Sequence, residues 1–245
     1  MISRFSCHAV HCREFPEDNS MHALRVDDMS ENRVPRVGVG GPVGSGKTML
    51  IERVLPILAA RDYKIGIVSN DVVSREDADR MRRNLALEQQ LLPQELVIGL
   101  ATGGCPHTAV REDPSMNISV VEETESRHDY LDLIMIESGG DNITTTFSPA
   151  LADYFIFIIA VASGEKYPRK RGLGIETCDL LVINKIDLAP YVGVDLSVVE
   201  RDCKAVRGTK PFVFVNCKTG QGAEKVAQHI LHEVMLKSDG KAVPL

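Results

Sequence analysis

From Val34 onward the chain alternates short apolar runs with segments of helix length. Several runs are rich in valine and isoleucine, which favours buried strands over short helices. Apolar runs without polar alternation are typical of parallel strands covered on both faces. The pattern predicts an α/β fold with a mainly parallel seven-stranded sheet and helices on both faces. The strands are predicted near Arg36–Gly40, Lys64–Ser69, Glu95–Gly99, Leu131–Ile136, Tyr154–Val161, Leu180–Asn184 and Phe212–Asn216.

The pattern is missing at both ends of the chain. Residues 1–34 are rich in polar residues without a sustained apolar period, which predicts a flexible N-terminal extension. We expect one P-loop domain over residues 35–236 and a C-terminal tail over residues 237–245. The extension is interpreted as a plain tail or as an auxiliary metal-binding segment, since four of its residues suit zinc or nickel: Cys7, His8, His11 and Cys12.

Composition narrows the class of protein. Hydrophobic residues make up 44% of the chain and charged residues 25%, values typical of a soluble globular protein. A net charge of −6 argues against a broad basic face, so we expect no nucleic-acid partner. No apolar run approaches the roughly 20 residues that span a bilayer, and no secretory signal is visible, so a cytoplasmic protein without a membrane partner is expected. The cysteines are expected to be reduced, with three as small core residues: Cys178, Cys203 and Cys217.

A phosphate-binding motif directly follows the first predicted strand. The segment GGPVGSGKT contains G-x-x-x-x-G-K-S/T. Glycines let backbone N–H groups point toward phosphates, the lysine adds a positive charge for the outer phosphates, and the threonine hydroxyl suits Mg²⁺. A proline, Pro56, falls inside the helix expected next, where we expect a bend or an early end. The predicted nucleotide-binding residues are Gly41, Pro42, Val43, Gly44, Ser45, Gly46, Lys47 and Thr48, with a catalytic role for Lys47 as well.

A second motif indicates which base is bound. The apolar run LLVINKID ends in the N-K-x-D arrangement associated with guanine. The carboxylate of Asp187 can accept from guanine N1–H and from the exocyclic amine, whereas adenine has no amine there and would leave buried groups unpaired. Lys185 can cover the base plane. The predicted base-binding residues are Asn184, Lys185 and Asp187, together with Asn216 and Lys218 of VNCKTG.

Two carboxylates follow predicted strands and are suited to hold Mg²⁺ or to orient an attacking water. Asp71 lies in SNDVVSRED and Glu137 in LIMIESGGDN. A carboxylate at the exposed end of an apolar strand is typical of a Walker-B-like position. We predict catalytic roles for both, with Asp71 and Thr48 as Mg²⁺ ligands; helix capping or loop solvation is the alternative for each carboxylate. Slow unassisted hydrolysis is expected, because phosphoryl transfer depends on positioning and charge neutralisation.

A third motif, ATGGCPHTAVRED, places a thiol and an imidazole one proline apart, at Cys105 and His107. A neighbouring histidine can activate a thiol, but no third orienting group stands out and the proline restricts how the two side chains meet. As metal ligands the pair supplies only two donors. Two copies across a two-fold axis would supply S₂N₂, which suits Ni(II), Cu(II) or tetrahedral Zn(II). A turn with a buried cysteine is the alternative.

Segments spread over the whole domain resemble the urease accessory protein G (UreG) family. They are RVGVGGPVGSGKT, SNDVVSRED, TGGCPHTAVRED, ESGGDN, FSPALADY, GEKYPRK and LLVINKIDLAPYVG. The resemblance runs from about Arg36 to Glu233 and implies a SIMIBI-type P-loop GTPase. It also implies a homodimer, dependent on GTP and Mg²⁺, that holds Ni²⁺ between Cys105 and His107 of two protomers, with Zn²⁺ as a possible ion in vitro. The implied partners are apo-urease and the urease accessory proteins D, E, F and H.

The chain departs from the family's usual pattern at three places. Glutamate is usual at Ala101, aspartate is usual at Ala160, and PRKRGLGI replaces Pro-Arg-Lys-Gly-Gly-Pro-Gly-Ile. If the missing glutamate normally links Mg²⁺ to the Cys-Pro-His loop, nucleotide would bind while its signal to the metal weakens. The main hypothesis is a metallochaperone that delivers Ni²⁺ to apo-urease, coupled to GTP hydrolysis and dimer dissociation. The alternatives are a nucleotide-gated metal-binding scaffold with little GTPase activity and a nickel-insertion GTPase for hydrogenase.

Overall fold

The computed structural model describes residues 33–71, 75–140 and 144–235, and its strands form a single parallel sheet. The sheet order is β3-β2-β4-β1-β5-β6-β7. The predicted fold class is therefore confirmed. The N-terminal cysteine and histidine cluster lies outside the described residues, and the domain boundaries stay predictions. The strands are β1 Arg36–Gly40, β2 Ile65–Asp71, β3 Val97–Ala101, β4 Leu133–Glu137, β5 Tyr154–Ala160, β6 Leu180–Asn184 and β7 Phe212–Phe214.

Helices connect the strands through crossovers. From β1 to β3 the chain moves toward one edge of the sheet, and from β4 to β7 it moves toward the other. Right-handed crossovers therefore place α1 and α2 on one face and α3 to α5 on the other, while α6 returns to contact α1. No helix of the described residues is long and apolar enough to cross a bilayer. The helices are α1 Lys47–Ala59, α2 Glu76–Met81, α3 Ser115–Arg127, α4 Leu173–Thr177, α5 Leu196–Arg207 and α6 Ala223–Ile230.

The core lies on both faces of the sheet. Every residue of β1, β4 and β6 is buried, which explains why these apolar runs do not alternate with polar residues. The three cysteines expected in the core are at most 1% exposed, as predicted, and carry free thiols: Cys178, Cys203 and Cys217.

Several strand limits differ from the predicted ones. Asp71 and Glu137 are the last residues of β2 and β4, not residues that follow a strand, because both remain paired in the sheet, with Ala101 and Val39 respectively. β3 begins two residues later than predicted because a 3₁₀ turn, Gln94–Leu96, follows Pro93. β7 ends early because the backbone turns at Asn216 and pairs with Gln221.

Pro56 does not end α1. The helix continues to Ala59, and the backbone N–H of Ala60 donates to the carbonyl of Pro56. The predicted early end is therefore wrong. Proline removes one N–H donor, but the buried face of α1, which includes Leu55 and Leu58, holds the last turn against the core.

Arg171 occupies a backbone conformation that suits glycine. It follows the 3₁₀ turn Pro168–Lys170 with φ 61° and ψ −166°. This region is essentially restricted to glycine, because a Cβ atom crowds the backbone there. Arg171 stands where the resemblance expects glycine, so the altered PRKRGLGI segment keeps a glycine-like turn at the cost of strain.

We expect Arg171→Gly to raise the free energy of unfolding by about 1 kcal/mol. The released strain exceeds the extra chain entropy that glycine loses on folding. Urea titration measures the difference. Arg171→Ala is the matched control, since it removes the guanidinium but keeps Cβ, and it should give no gain. Equal gains in both variants would contradict the strain.

Candidate nucleotide and metal site

The phosphate-binding loop has the backbone that its glycines were predicted to allow. Gly41 has φ 149°, and a Cβ there would lie 2.2 Å from the carbonyl oxygen of Ile158. Gly46 has φ 102°, and a Cβ there would lie 2.4 Å from Nδ2 of Asn184. Both positions exclude any side chain. The loop that follows β1 is therefore held against Ile158, inside β5, and Asn184, the last residue of β6.

Polar groups inside the loop fit a phosphate chain. Lys47 begins α1 and is buried, and its Nζ donates to the carbonyls of Gly41 and Pro42 at 3.1 and 3.3 Å. The hydroxyl of Ser45 is buried without a hydrogen-bond partner. The N-terminus of a 13-residue helix adds its unpaired N–H groups and positive dipole end. The loop thus offers a cation, a free hydroxyl and helix amides to an anion.

A buried carboxylate lies beneath the loop. Glu137 accepts hydrogen bonds from the hydroxyls of Thr48, at 2.7 Å, and Ser69, at 2.9 Å. Its side chain is 2% exposed, and this burial raises the pKa of the carboxyl to about 7, although the two hydroxyls and Lys47 oppose the shift. Asp77 adds a smaller repulsion that also raises the pKa. Glu137 therefore orients Thr48, the predicted Mg²⁺ ligand.

A cavity of about 670 Å³ extends from this loop to the predicted base-binding motif. Thr48 and Asp71 both line it, so the structure brings the two predicted Mg²⁺ ligands to one space. Their hydroxyl and carboxylate oxygens are ligands that Mg²⁺ accepts. The other predicted residues that line the cavity are Val43, Gly44, Gly46, Lys47, Asn184, Lys185, Asp187, Asn216 and Lys218.

Several residues that line the cavity were not predicted from the sequence. Asn70 and Ser138 are polar residues at the ends of apolar strands, and that position was a usable signal. Asp77 and Arg80 come from α2, where no motif marks them; Arg80 is paired with Glu52 of α1 at 2.8 Å. They reach the cavity only because α2 folds back toward α1.

Asn184, the first residue of the predicted guanine-binding motif, is held by hydrogen bonds within the protein. The Asn184 amide is 1% exposed; its Nδ2 donates to the Ser45 carbonyl at 2.8 Å, and its Oδ1 accepts from the N–H of Cys217 at 3.0 Å. Asn184 thus joins the phosphate loop to the loop after β7. Lys185 adopts a left-handed backbone, φ 61°, and Asp187 is exposed at the cavity.

The loop after β7 is held by its own side chains and by α1. Oδ1 of Asn216 accepts from the N–H of Lys218 at 3.0 Å. Arg53, which the sequence analysis also missed, donates to the carbonyls of Cys217 and Lys218 at 2.8 and 2.9 Å. Asn216 and Lys218 therefore lie on a loop that the helix of the phosphate-binding motif fixes in place.

The Cys-Pro-His loop brings its two donor side chains together. Sγ of Cys105 lies 3.3 Å from Nδ1 of His107, and Nε2 of His107 lies 3.2 Å from Oγ1 of Thr144. Pro106 was expected to restrict how the two side chains meet, but it does not prevent their contact, because a helical turn begins at the proline and turns His107 back toward the thiol. No third orienting group stood out in the sequence, but the fold brings Thr144 to the far side of the His107 ring. Cys105 is exposed, which excludes the buried-cysteine alternative.

The same loop lies against the strand ends that form the nucleotide cavity. Both the backbone N–H and the hydroxyl of Thr102 donate to the carbonyl of Asp71, at 2.8 and 3.1 Å. A Cβ on Gly139 would lie 3.0 Å from Pro106, so the segment after Glu137 packs directly on the loop. Among the described residues, no cluster of three or more histidine, cysteine or acidic side chains could hold a metal. Cys105 and His107 thus remain a two-donor set in this part of the chain.

Most of the chain matches a known protein family. A family model described as CobW/HypB/UreG, nucleotide-binding domain, matches residues 35–214. The urease accessory protein UreG of Cenarchaeum symbiosum (strain A) is 69% identical over 204 residues, which cover 83% of this chain and 95% of that protein. The chain belongs to the UreG family. The UreG of Yersinia pestis is 56% identical over 206 residues, which cover 84% of this chain and 92% of its own.

Solved structures agree with the UreG assignment at the level of fold. The hydrogenase maturation factor HypB of Archaeoglobus fulgidus has a TM-score of 0.64 and 26% identity, covering 84% of this chain and 92% of its own. HypB of Helicobacter pylori, solved in complex with nickel, has a TM-score of 0.67 and 18% identity, covering 89% and 93%. The resemblance to a SIMIBI-type P-loop protein is confirmed, and the domain is a nucleotide-binding domain.

Glu137→Gln tests the effect of burial on the carboxyl beneath the phosphate loop. The pKa of Glu137 is about 7 in the folded protein and 4.5 ordinarily, so the folded state favours the protonated carboxyl. The stability that this protonation contributes is complete below pH 4.5 and is lost as pH rises through about 7. In urea titrations without Mg²⁺ or nucleotide, the variant should match the wild type near pH 4.5. Near pH 8 it should be more stable by roughly 3 kcal/mol. Exposed Glu122→Gln serves as the control, and parallel curves for wild type and Glu137→Gln would contradict the shift.

Asp187→Asn tests base choice. Loss of the carboxylate acceptor should weaken GTP binding by about 1–3 kcal/mol without improving ATP binding. Calorimetric titration with both nucleotides measures this. Asp195→Asn, at the N-cap of α5, is a matched control that should change neither affinity. An unchanged preference in Asp187→Asn would remove this residue from the base site.

Proposed function

We propose that the chain is a GTP-dependent nickel metallochaperone that delivers Ni²⁺ to apo-urease. The observation that carries the proposal is the pair of exposed Cys105 and half-buried His107, 3.3 Å apart, on a loop packed against the segment that follows Glu137. Its membership of the UreG family supports the urease partner. The accessory proteins D, E, F and H are proposed as further partners. The identity to urease accessory relatives is much higher than the 26% to HypB of Archaeoglobus fulgidus, which favours urease over hydrogenase.

The nucleotide is proposed to be GTP, held by the chain along the cavity. The loop amides and Lys47 bind the phosphates, and Asp187 accepts from the base. Thr48 and Asp71 would hold Mg²⁺, which neutralises negative charge on the phosphates when bound. Glu137 accepts a hydrogen bond from the Thr48 hydroxyl and so orients it. The backbone amides of the loop and Lys47 would stabilise the negative charge that develops on the phosphate oxygens during phosphoryl transfer.

The metal is proposed to be shared by two copies of the chain. One copy offers one thiol and one imidazole, and four-coordination needs two more donors. A second copy, related by a two-fold axis that passes beside exposed Cys105, would supply them. Ligand type alone does not select nickel, since Cu²⁺ binds such donors more tightly and Zn²⁺ competes. Hydrolysis of GTP would then loosen the dimer and release the ion to the urease assembly.

Sizing and metal analysis with Mg²⁺ and a non-hydrolysable GTP analogue test this function. We expect the wild type to form a dimer with about one Ni²⁺ for two chains. Cys105→Ala and His107→Ala should each lose the metal, because half of the donors disappear. Cys203→Ala, a buried cysteine of α5, is the matched control and should retain it. A monomer that takes up no nickel would contradict the shared site.

A second candidate function is a nucleotide-gated metal-binding scaffold with little hydrolysis. Ala101, in place of the usual glutamate, lies directly opposite Asp71 in the register of β2 and β3 and brings no carboxylate to the Mg²⁺ side. Ala160, the last residue of β5, likewise stands in place of a carboxylate, the usual aspartate. GTP turnover with nickel and bicarbonate, with and without the accessory proteins, separates the two functions. Turnover no faster than that of Lys47→Ala favours the scaffold.

A further inference from the structure

Two buried asparagines form a reciprocal amide pair between β2 and α3. Nδ2 of Asn70 donates to Oδ1 of Asn117, and Nδ2 of Asn117 donates to Oδ1 of Asn70, both at 2.9 Å. Asn70 is 4% exposed and Asn117 is fully buried. Polar groups buried this deeply are costly to leave unpaired, so the pair holds one geometry. We call Asn70 and Asn117 the amide bridge.

The amide bridge ends on two functional segments. On one side, Nδ2 of Asn70 also donates to the carbonyl of Glu137 at 2.9 Å, and Asn70 itself lies between Ser69 and Asp71 in β2. On the other side, Nδ2 of Asn117 donates to the carbonyl of Ala109 at 2.8 Å, two residues after His107. The bridge therefore joins the strand ends that carry the two predicted catalytic carboxylates, Asp71 and Glu137, to the turn that follows the Cys-Pro-His loop.

The Cys-Pro-His loop is thus attached to the nucleotide side at both of its ends. Thr102 binds the carbonyl of Asp71 before the loop, and Ala109 is bound by Asn117 after it. Between these points, Cys105 is exposed. Both attachments lead to neighbouring residues of β2: Thr102 binds Asp71 directly, and Ala109 is connected to Asn70 through Asn117. A movement of the end of β2 would therefore shift both ends of the loop.

We infer that Asn117 is a positioning residue that transmits the nucleotide state from the ends of β2 and β4 to the Cys-Pro-His loop. The inference rests on the proposed function and deepens it. Asn117 touches neither the cavity nor the two donor side chains, and acts through Asn70 and Ala109. The amide bridge gives the second end of the loop, at Ala109, its own connection to the ends of β2 and β4.

The test measures the alkylation rate of Cys105 by iodoacetamide, resolved by peptide mass spectrometry, with Mg²⁺ and either GDP or a non-hydrolysable GTP analogue. No nickel is present. We expect the wild-type rates with the two nucleotides to differ by about fivefold or more. In Asn117→Ala the ratio should fall close to one, while the affinity for each nucleotide stays nearly unchanged. Asn117→Leu, which keeps the number and branching of side-chain heavy atoms without their hydrogen bonds, should behave in the same way and serves if the alanine variant folds poorly.

Thr124→Val is the matched control on the same helix. Thr124 is 6% exposed and donates only one hydrogen bond within α3, to the carbonyl of Val120, so its loss tests mere loosening of the helix. This variant should keep the wild-type ratio. A wild-type ratio of one, or an unchanged ratio in both Asn117 variants, would overturn the inference. The alkylation test contains no nickel, so its outcome does not depend on whether the sizing experiment detects nickel binding. A failure of the proposed function and a failure of this inference can therefore be told apart.

Discussion

The hydrogen bonds that Thr48 and Ser69 donate to the buried carboxylate of Glu137 are the interaction on which the rest of the site depends. They join the first turn of α1 to the ends of β2 and β4. A carboxylate with so little exposure is stable there only because hydroxyl donors offset part of the desolvation, and its raised pKa shows that the offset is incomplete. A cation beside Thr48 would complete the compensation. The fold thus buries an acidic group with a raised pKa next to Thr48, where Mg²⁺ is proposed to bind.

The opposite end of the cavity depends on one neutral amide. Asn184 binds the phosphate loop through Ser45 and the loop after β7 through Cys217, so the two halves of the nucleotide site have a fixed separation. Arg53 holds the second loop from α1. Asn184, predicted as one of the base-binding residues, therefore uses both ends of its amide to join two protein loops, whereas Asp187, predicted to accept from the base, is exposed at the cavity.

The Cys-Pro-His loop extends this network outward. Thr102 attaches it to Asp71 and Ala109 attaches it to Asn117, so it continues the strand ends, and its thiol is exposed. The departures from the family pattern have unequal structural effects. Ala101 removes a carboxylate opposite Asp71 and leaves the strand register intact, whereas Arg171 is accommodated in a glycine-like conformation with strain.

The order of apolar runs by itself determined the seven-stranded parallel sheet, since strands buried on both faces need continuous apolar residues. Local motifs likewise determined the phosphate loop, because its glycines and lysine act through their own backbone and charge. Strand limits at Asp71, Glu137 and Val97 were displaced, as pairing partners are not encoded locally. Only the tertiary structure decided what joins these parts: the contact of Cys105 with His107 and Thr144, the reach of Arg53 and Arg80, and the pairing of Asn70 with Asn117. Most of these contacts connect residues far apart in the chain. Their partners cannot be identified from local sequence, because the side chains meet only when the crossovers bring the strand ends and helices together.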